Sequence, residues 1–124
     1  MVLIHTMHCD SCRPMRVVAL AERFPGLPFV LAYMGNLWWE EAIEAASREE
    51  NIYMDFISSV RGYDEIKQAC DRVGDRKVLF GSDMTIFTPA FAIGMLLSSE
   101  IGDEERNNIF YANARMLLSR LGKE

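Results

Sequence analysis

The chain has 124 residues, 50% of them hydrophobic and 25% charged, with 13 Lys+Arg against 18 Asp+Glu and a formal net charge of −5. This size and composition exclude a disordered chain and fit one domain, 1–124, whereas a complete eight-unit (β/α) barrel needs about 200 residues or more. A pI near 5.0, with basic residues scattered singly apart from Arg76-Lys77, argues against nucleic acid as a partner.

No apolar run approaches the ~20 residues that span a bilayer, so no membrane segment is expected. The start, Met1-Val-Leu-Ile-His5, lacks the basic region and small-residue cleavage site of a secretory signal. Three cysteines, an odd number, beside eight methionines suit a reducing interior better than a disulfide scaffold. The expected location is the cytoplasm.

Taken in chain order, the first element is a strand over Val2-Leu-Ile-His5. A helix follows, with Pro14 in its first turn after Asp10-Ser11, an apolar stripe of Val18, Ala19 and Leu20, and a stop at Phe24-Pro25-Gly26. The second strand is Phe29-Val-Leu-Ala-Tyr33, and Asn36 is the expected N-cap of a helix over 37–48 whose inner face carries Trp39, Ile43 and Ala46. A third strand, Ile52-Tyr-Met-Asp-Phe-Ile57, precedes a helix capped by Asp64, apolar at Ile66, Ala69, Cys70 and Val73, and ended by Gly74. Val78-Leu-Phe80 is the fourth strand. A short helix is expected between Pro89 and Ser99, and one long helix over 103–121 with Ile109, Ala112, Met116 and Leu117 inward.

The strands begin at residues 2, 29, 52 and 78, and units of about 25 residues imply parallel strands joined by right-handed crossovers. The fold class is therefore α/β: four consecutive βα units plus a C-terminal helix. Such sheets place their sites at the C-terminal ends of the strands. Those ends carry His5, Tyr33-Met34-Gly35, Ser58-Ser59 and Gly81-Ser82-Asp83. A lone strand-end histidine serves as a ligand or as a loop cap, and an Asp after Gly-Ser as a ligand, a base or an Asx-turn residue. His8-Cys9-Asp10-Ser11-Cys12 stays open between a redox dithiol, ancillary metal ligands at His8 or Cys9, and ordinary loop residues. Of Trp38-Trp39, one ring packs on the sheet and the other lines a pocket or a subunit contact.

Val2-Leu-Ile-His5-Thr, Ala21-Glu-Arg-Phe-Pro25, Phe29-Val-Leu-Ala-Tyr-Met-Gly35, Asn51-Ile-Tyr-Met-Asp55, Val73-Gly-Asp-Arg-Lys-Val-Leu-Phe-Gly-Ser-Asp83 and Asn113-Ala-Arg-Met-Leu occur in an order and spacing that resembles the second half of the amidohydrolase-related, metal-dependent enzymes. The resemblance runs from residue 2 to about 121 and is most specific at Leu79-Phe-Gly-Ser-Asp83. It implies half of a TIM barrel and a divalent metal, commonly zinc. It also implies a small-molecule substrate, whose C–N or C–O bond is hydrolysed or which is decarboxylated. By resemblance, His5 is a metal ligand on the fifth strand of that barrel. Asp83, on the eighth, binds metal or takes a proton from water. Two departures stand out. Tyr33 occupies the place of the family's catalytic histidine, and the first-strand His-x-His pair is absent, His5 and His8 being the only histidines.

Four parallel strands cannot close a barrel and would leave two unpaired edges and an apolar inner face, with Leu3, Val30 and Met54 as its expected residues. The expected remedies are a homodimer, pairing with the missing N-terminal half, or a sheet covered by the last helices, with self-association favoured. Two functions remain open on this reading: a metal-dependent hydrolase incomplete as an isolated half, and a non-catalytic half-barrel that self-associates.

Overall fold

A computed structural model describes residues 1–7, 9–56 and 63–121. The four strands, β1 (Val2–His5), β2 (Phe29–Ala32), β3 (Ile52–Phe56) and β4 (Val78–Phe80), form one sheet in the order β1-β2-β3-β4. All pairings are parallel, with Val2 opposite Phe29, His5 opposite Ala32, Phe29 opposite Ile52 and Phe56 opposite Phe80. Each strand is a short run of β-branched, aromatic or long apolar side chains, which suits a pleated surface buried from both sides. Helices α1 (Met15–Arg23), α2 (Trp39–Arg48) and α3 (Tyr63–Val73) make the crossovers, and α4 (Pro89–Ser98) follows β4. The tail runs through α5 (Asp103–Asn107), a π turn (Asn108–Ala112) and α6 (Asn113–Leu121). This is the expected half of a TIM barrel.

Period-two alternation divides the strands between two cores. Phe29 and Leu31, Ile52, Met54 and Phe56, and Val78 face the helices, where they meet Val17, Ala21, Ala42, Ile43, Ile66 and Ala69. On the other face Val30, Tyr53 and Leu79 pack against Leu117 of α6, with Ala114 and Met116 beside them. The last helix therefore covers part of the inner face, while Leu3 on the same face remains 62% exposed. Met54 departs from the expectation: it lies on the helix side, because its parity matches Ile52 and Phe56, and Tyr53 and Asp55 take the inner face instead.

Three local expectations are also corrected. The buried stripe of α1 is Pro14, Val17, Val18 and Ala21, at spacings of three and four, so Ala19 and Leu20 face solvent. Asp64 lies within the first turn of α3, which begins at Tyr63, and there its charge favours the helix N-terminus. Asn36 does not cap α2, which begins at Trp39 with Trp38 as its N-cap residue. Instead, Tyr33, Met34, Gly35 and Asn36 form a tight turn in which all four have positive φ. The 103–121 helix runs on as expected, with Asn113 donating through Nδ2 to the carbonyls of Asp75 (2.7 Å) and Val78 (2.8 Å) and so fastening the tail to the start of β4.

The 33–36 turn packs directly on α2. A Cβ on Gly35, whose φ is +79°, would stand 2.7 Å from the Cβ of Ala42 and 3.3 Å from Pro14. Both the left-handed backbone and the contact exclude a side chain there. Gly35→Ala is expected to destabilise the fold by about 2–4 kcal/mol, seen as a lower midpoint at unchanged slope in urea denaturation. A midpoint equal to the parent's would mean that the turn tolerates a side chain.

Candidate functional site

In-register parallel strands bring their C-terminal ends to one rim, which places His5, Tyr33 and Asp83 together. The His5 and Tyr33 rings meet edge-on, with centroids 4.9 Å apart and planes at 78°. The Tyr33 hydroxyl donates to Asp83 Oδ2 at 3.3 Å. Tyr33 therefore touches both residues read as metal ligands. His5 is exposed, and Tyr33 and Asp83 are half-buried, so the cluster opens to solvent at the rim.

Each side chain is aimed by local backbone structure. Thr6 is buried just beyond β1 and its hydroxyl donates to the Ala32 carbonyl, tying the end of β1 to β2 beside His5. Tyr33 leaves β2 with φ of 63° and Asp83 leaves β4 with φ of 51°. The Asp83 carbonyl accepts from the backbone N–H of Ile86 (2.9 Å) and Phe87 (3.1 Å), which closes the loop that presents its carboxylate.

A fourth member, Asp55, is not among the sequence-derived site residues. It sits on the inner face near the end of β3, 7% exposed, and its Oδ1 accepts the backbone N–H of Tyr33 at 3.0 Å. Burial raises its pKa from an ordinary 3.8 to about 7; the bond from Tyr33 opposes the rise and the charge of Asp83 adds to it. Burial, with Asp83 and Asp55 near, also raises the Tyr33 phenol above its usual 10. The signal for Asp55 was one carboxylate inside an otherwise apolar buried strand, a residue type that is rarely buried without a role. Asp55 and β-strand residues Leu3, Val30 and Leu79 line a cavity of about 230 Å³ on the inner face, closed at one side by Leu117 and Leu118.

Other singled-out residues fall elsewhere. His8 and Ser58-Ser59 lie outside the described residues. Cys70 is free and buried, and burial pushes its thiol up to about 12, as fits a core residue. Cys9 and Cys12, left open between a redox dithiol, ancillary metal ligation and a loop, form a disulfide across a short turn that sets their Cα atoms 5.3 Å apart. Trp39 packs against the core, whereas the Trp38 ring lies under the Arg13 guanidinium, 4.3 Å away, and Arg13 also pairs with Glu41. Among the described residues no helix is long and apolar enough to cross a membrane.

Comparison with known proteins gives the same architecture. A family model described as Amidohydrolase matches residues 1–120. An uncharacterized TIM-barrel protein from Bordetella bronchiseptica superposes with a TM-score of 0.82 at 21% identity, covering 98% of this chain and 46% of its own. A zinc-bound amidohydrolase from Burkholderia multivorans follows at 0.74 and 15% identity, with 94% and 52% coverage. A dihydroxybenzoic acid decarboxylase from Polaromonas sp. JS666, with bound manganese and the inhibitor 2-nitroresorcinol, gives 0.68 and 19%, with 86% and 38% coverage. This chain spans about two fifths to one half of those structures. No curated protein matches it.

The Asp55 shift makes folding pH-dependent. With a folded value of about 7 against an ordinary 3.8, the folded chain keeps a proton that the unfolded chain has lost between those limits. The stabilisation is complete below about pH 4 and lost as pH rises to about 7, with a slope of up to ~1.4 kcal/mol per pH unit. Urea titrations from pH 4 to 8 with a chelator present should show this decline, and Asp55→Asn should flatten it. A parent slope unchanged by the substitution would assign the pH dependence to another group.

Proposed function

The chain belongs to the amidohydrolase family, and on that premise we propose that it carries one half of a metal-dependent active site. The reaction is hydrolysis of a C–N or C–O bond, or decarboxylation, of a small organic acid. The reading is supported above all by the grouping of His5, Tyr33 and Asp83 on the C-terminal rim of the sheet, the face on which (β/α) barrels build their chemistry.

Among the described residues, His5 and Asp83 are the donors offered to one divalent ion, zinc or manganese. Imidazole and carboxylate suit either metal. A catalytic zinc takes three protein ligands and an open position, and among the described residues no group of three or more His, Cys, Asp or Glu is placed to hold an ion. The donor set therefore fits part of a site, and the remaining ligands come from a partner: the four βα units that complete the barrel. When bound, such an ion polarises a substrate oxygen and lowers the pKa of its water.

The chain's own residues have distinct tasks. Asp83 accepts a proton at its carboxylate. Tyr33, a phenol that is protonated at neutral pH and whose burial moves it further from titrating there, donates a hydrogen bond to Asp83 or to a substrate oxyanion and does not shuttle protons. Asp55 acts through Tyr33, whose backbone it holds. As an isolated half, the chain is catalytically incomplete.

Calorimetric titration of the purified chain with Zn²⁺ or Mn²⁺ is expected to reveal one weak site per chain. His5→Ala and Asp83→Ala should each weaken it at least tenfold. A chain that takes up no ion at a large excess of metal, or alanine variants that bind as the parent does, would end the metal reading.

A second reading, a non-catalytic half-barrel that self-associates, is favoured by a separate observation. On the inner face Met1, Leu3 and Leu118 are 43%, 62% and 57% exposed, and among the described residues β1 and β4 each pair on one side only. Light scattering would then give twice the 14.2 kDa chain mass, reduced to the monomer value in Leu3→Glu. A monomeric parent would remove this reading.

A further inference from the structure

We propose that the Cys9–Cys12 disulfide is a site of reversible thiol–disulfide exchange, reduced by small dithiols or protein dithiols and re-formed by disulfide oxidants, with Cys9 as the sulfur attacked. The proposal is independent of metal binding.

Its position and surroundings support it. The bridge closes over a three-residue 3-10 turn, Asp10–Cys12, that contains no buried residue. Opening it therefore removes no core packing, and a ring this short restricts the unfolded chain little. Cys9 is exposed and Cys12 half-buried, so an incoming thiolate reaches Cys9 first. The Ser11 hydroxyl lies 3.2 Å from Cys9 Sγ and 4.0 Å from Cys12 Sγ, within reach of either sulfur once one carries negative charge.

Two further features keep the pair together and apart from other thiols. Asp10, between the cysteines, pairs with Arg16 of α1 at 2.7 Å and with Arg13 at 3.6 Å, contacts that do not involve the sulfur atoms. Cys70, the remaining cysteine, is buried in the helix-side core and cannot reshuffle with the pair.

One thiolate of the reductant attacks Cys9 Sγ, the Cys9–Cys12 bond breaks, and Cys12 leaves as a thiolate that takes up a proton. The reductant's second thiolate then attacks its own sulfur in the mixed disulfide and releases Cys9. Two electrons pass to the protein, and the reductant departs as a disulfide.

The test equilibrates the folded chain in glutathione buffers of stepped reduced-to-oxidised ratio, traps thiols with N-ethylmaleimide, and maps them by mass spectrometry. The oxidised fraction should follow the ratio reversibly, with two labels on Cys9 and Cys12 when reduced and none on Cys70 before denaturation. Circular dichroism should stay unchanged throughout. With oxidised glutathione, Cys12→Ser should form a mixed disulfide at Cys9 at least several-fold faster than Cys9→Ser forms one at Cys12. A bridge that resists excess dithiothreitol until the chain is denatured would overturn the proposal, as would cysteines that never cross-link under oxidised glutathione. Equal rates for the two variants would overturn the assignment of attack to Cys9.

Discussion

A parallel sheet must be covered on both faces, and this requirement organises the whole molecule. Strands β2 to β4 carry apolar side chains on both faces, so three crossover helices are not enough: they shield Phe29, Leu31, Ile52, Met54 and Val78 and leave Val30, Tyr53 and Leu79 bare. The tail supplies the second cover. Asn113 fastens it to the start of β4, and from that anchor α6 lays Leu117 over the inner face. The cover reaches β2 to β4 and stops short of Leu3 on β1. The incompletely covered strand is therefore the one that carries His5 and begins the exchangeable loop.

The same sheet sets the chemistry by register. Pairing His5 with Ala32 puts Tyr33 one step past the histidine, and pairing Asp55 with Leu79 puts β4's loop beyond the buried carboxylate. Asp55 then links the two levels. Its carboxyl sits in the apolar inner layer yet holds the Tyr33 backbone N–H, so the side chain that meets His5 and Asp83 is fixed from beneath. Burying a carboxyl is unfavourable in its charged form, and the protein accommodates it by raising the pKa to about 7. His5 on the rim is exposed, whereas Asp55 in the layer below is buried.

The two ends of the sheet divide the labour. At the start of the strands, Lys77 Nζ donates to the carbonyls of Glu49, Glu50 and Ile52 at 2.8, 2.7 and 3.1 Å, and Asn51 binds Ala21, Phe24 and Leu27 through its amide. These contacts satisfy carbonyls and hold crossovers in place. At the other end, side chains point outward from positive-φ turns at Tyr33 and Asp83. The carbonyl-satisfying contacts of Lys77 and Asn51 thus lie at one pole, and the rim side chains of Tyr33 and Asp83 at the other.

Much of this was legible in the chain. Short β-branched or aromatic runs at regular spacing marked the four parallel strands, and Gly-Ser-Asp83 and His5 marked two rim positions, because strand ends follow directly from where apolar runs stop. What depended on phase was not legible. Met54 and Tyr53 are both apolar neighbours in one run, and only pairing with β2 and β4 decides which points inward. That one-residue parity also hid Asp55. The stripe of α1 and the role of Asn36 turned on the same kind of detail, since Gly35 must press against Ala42 before the turn can be seen to replace a cap. The sequence by itself determined the element order, the parallel α/β class and the candidate ligands. Only the tertiary structure decided which face each strand residue serves, that α6 covers the inner layer, and that Tyr33 joins His5 to Asp83. Those outcomes are contacts between residues 20 to 90 positions apart, and no local pattern encodes them.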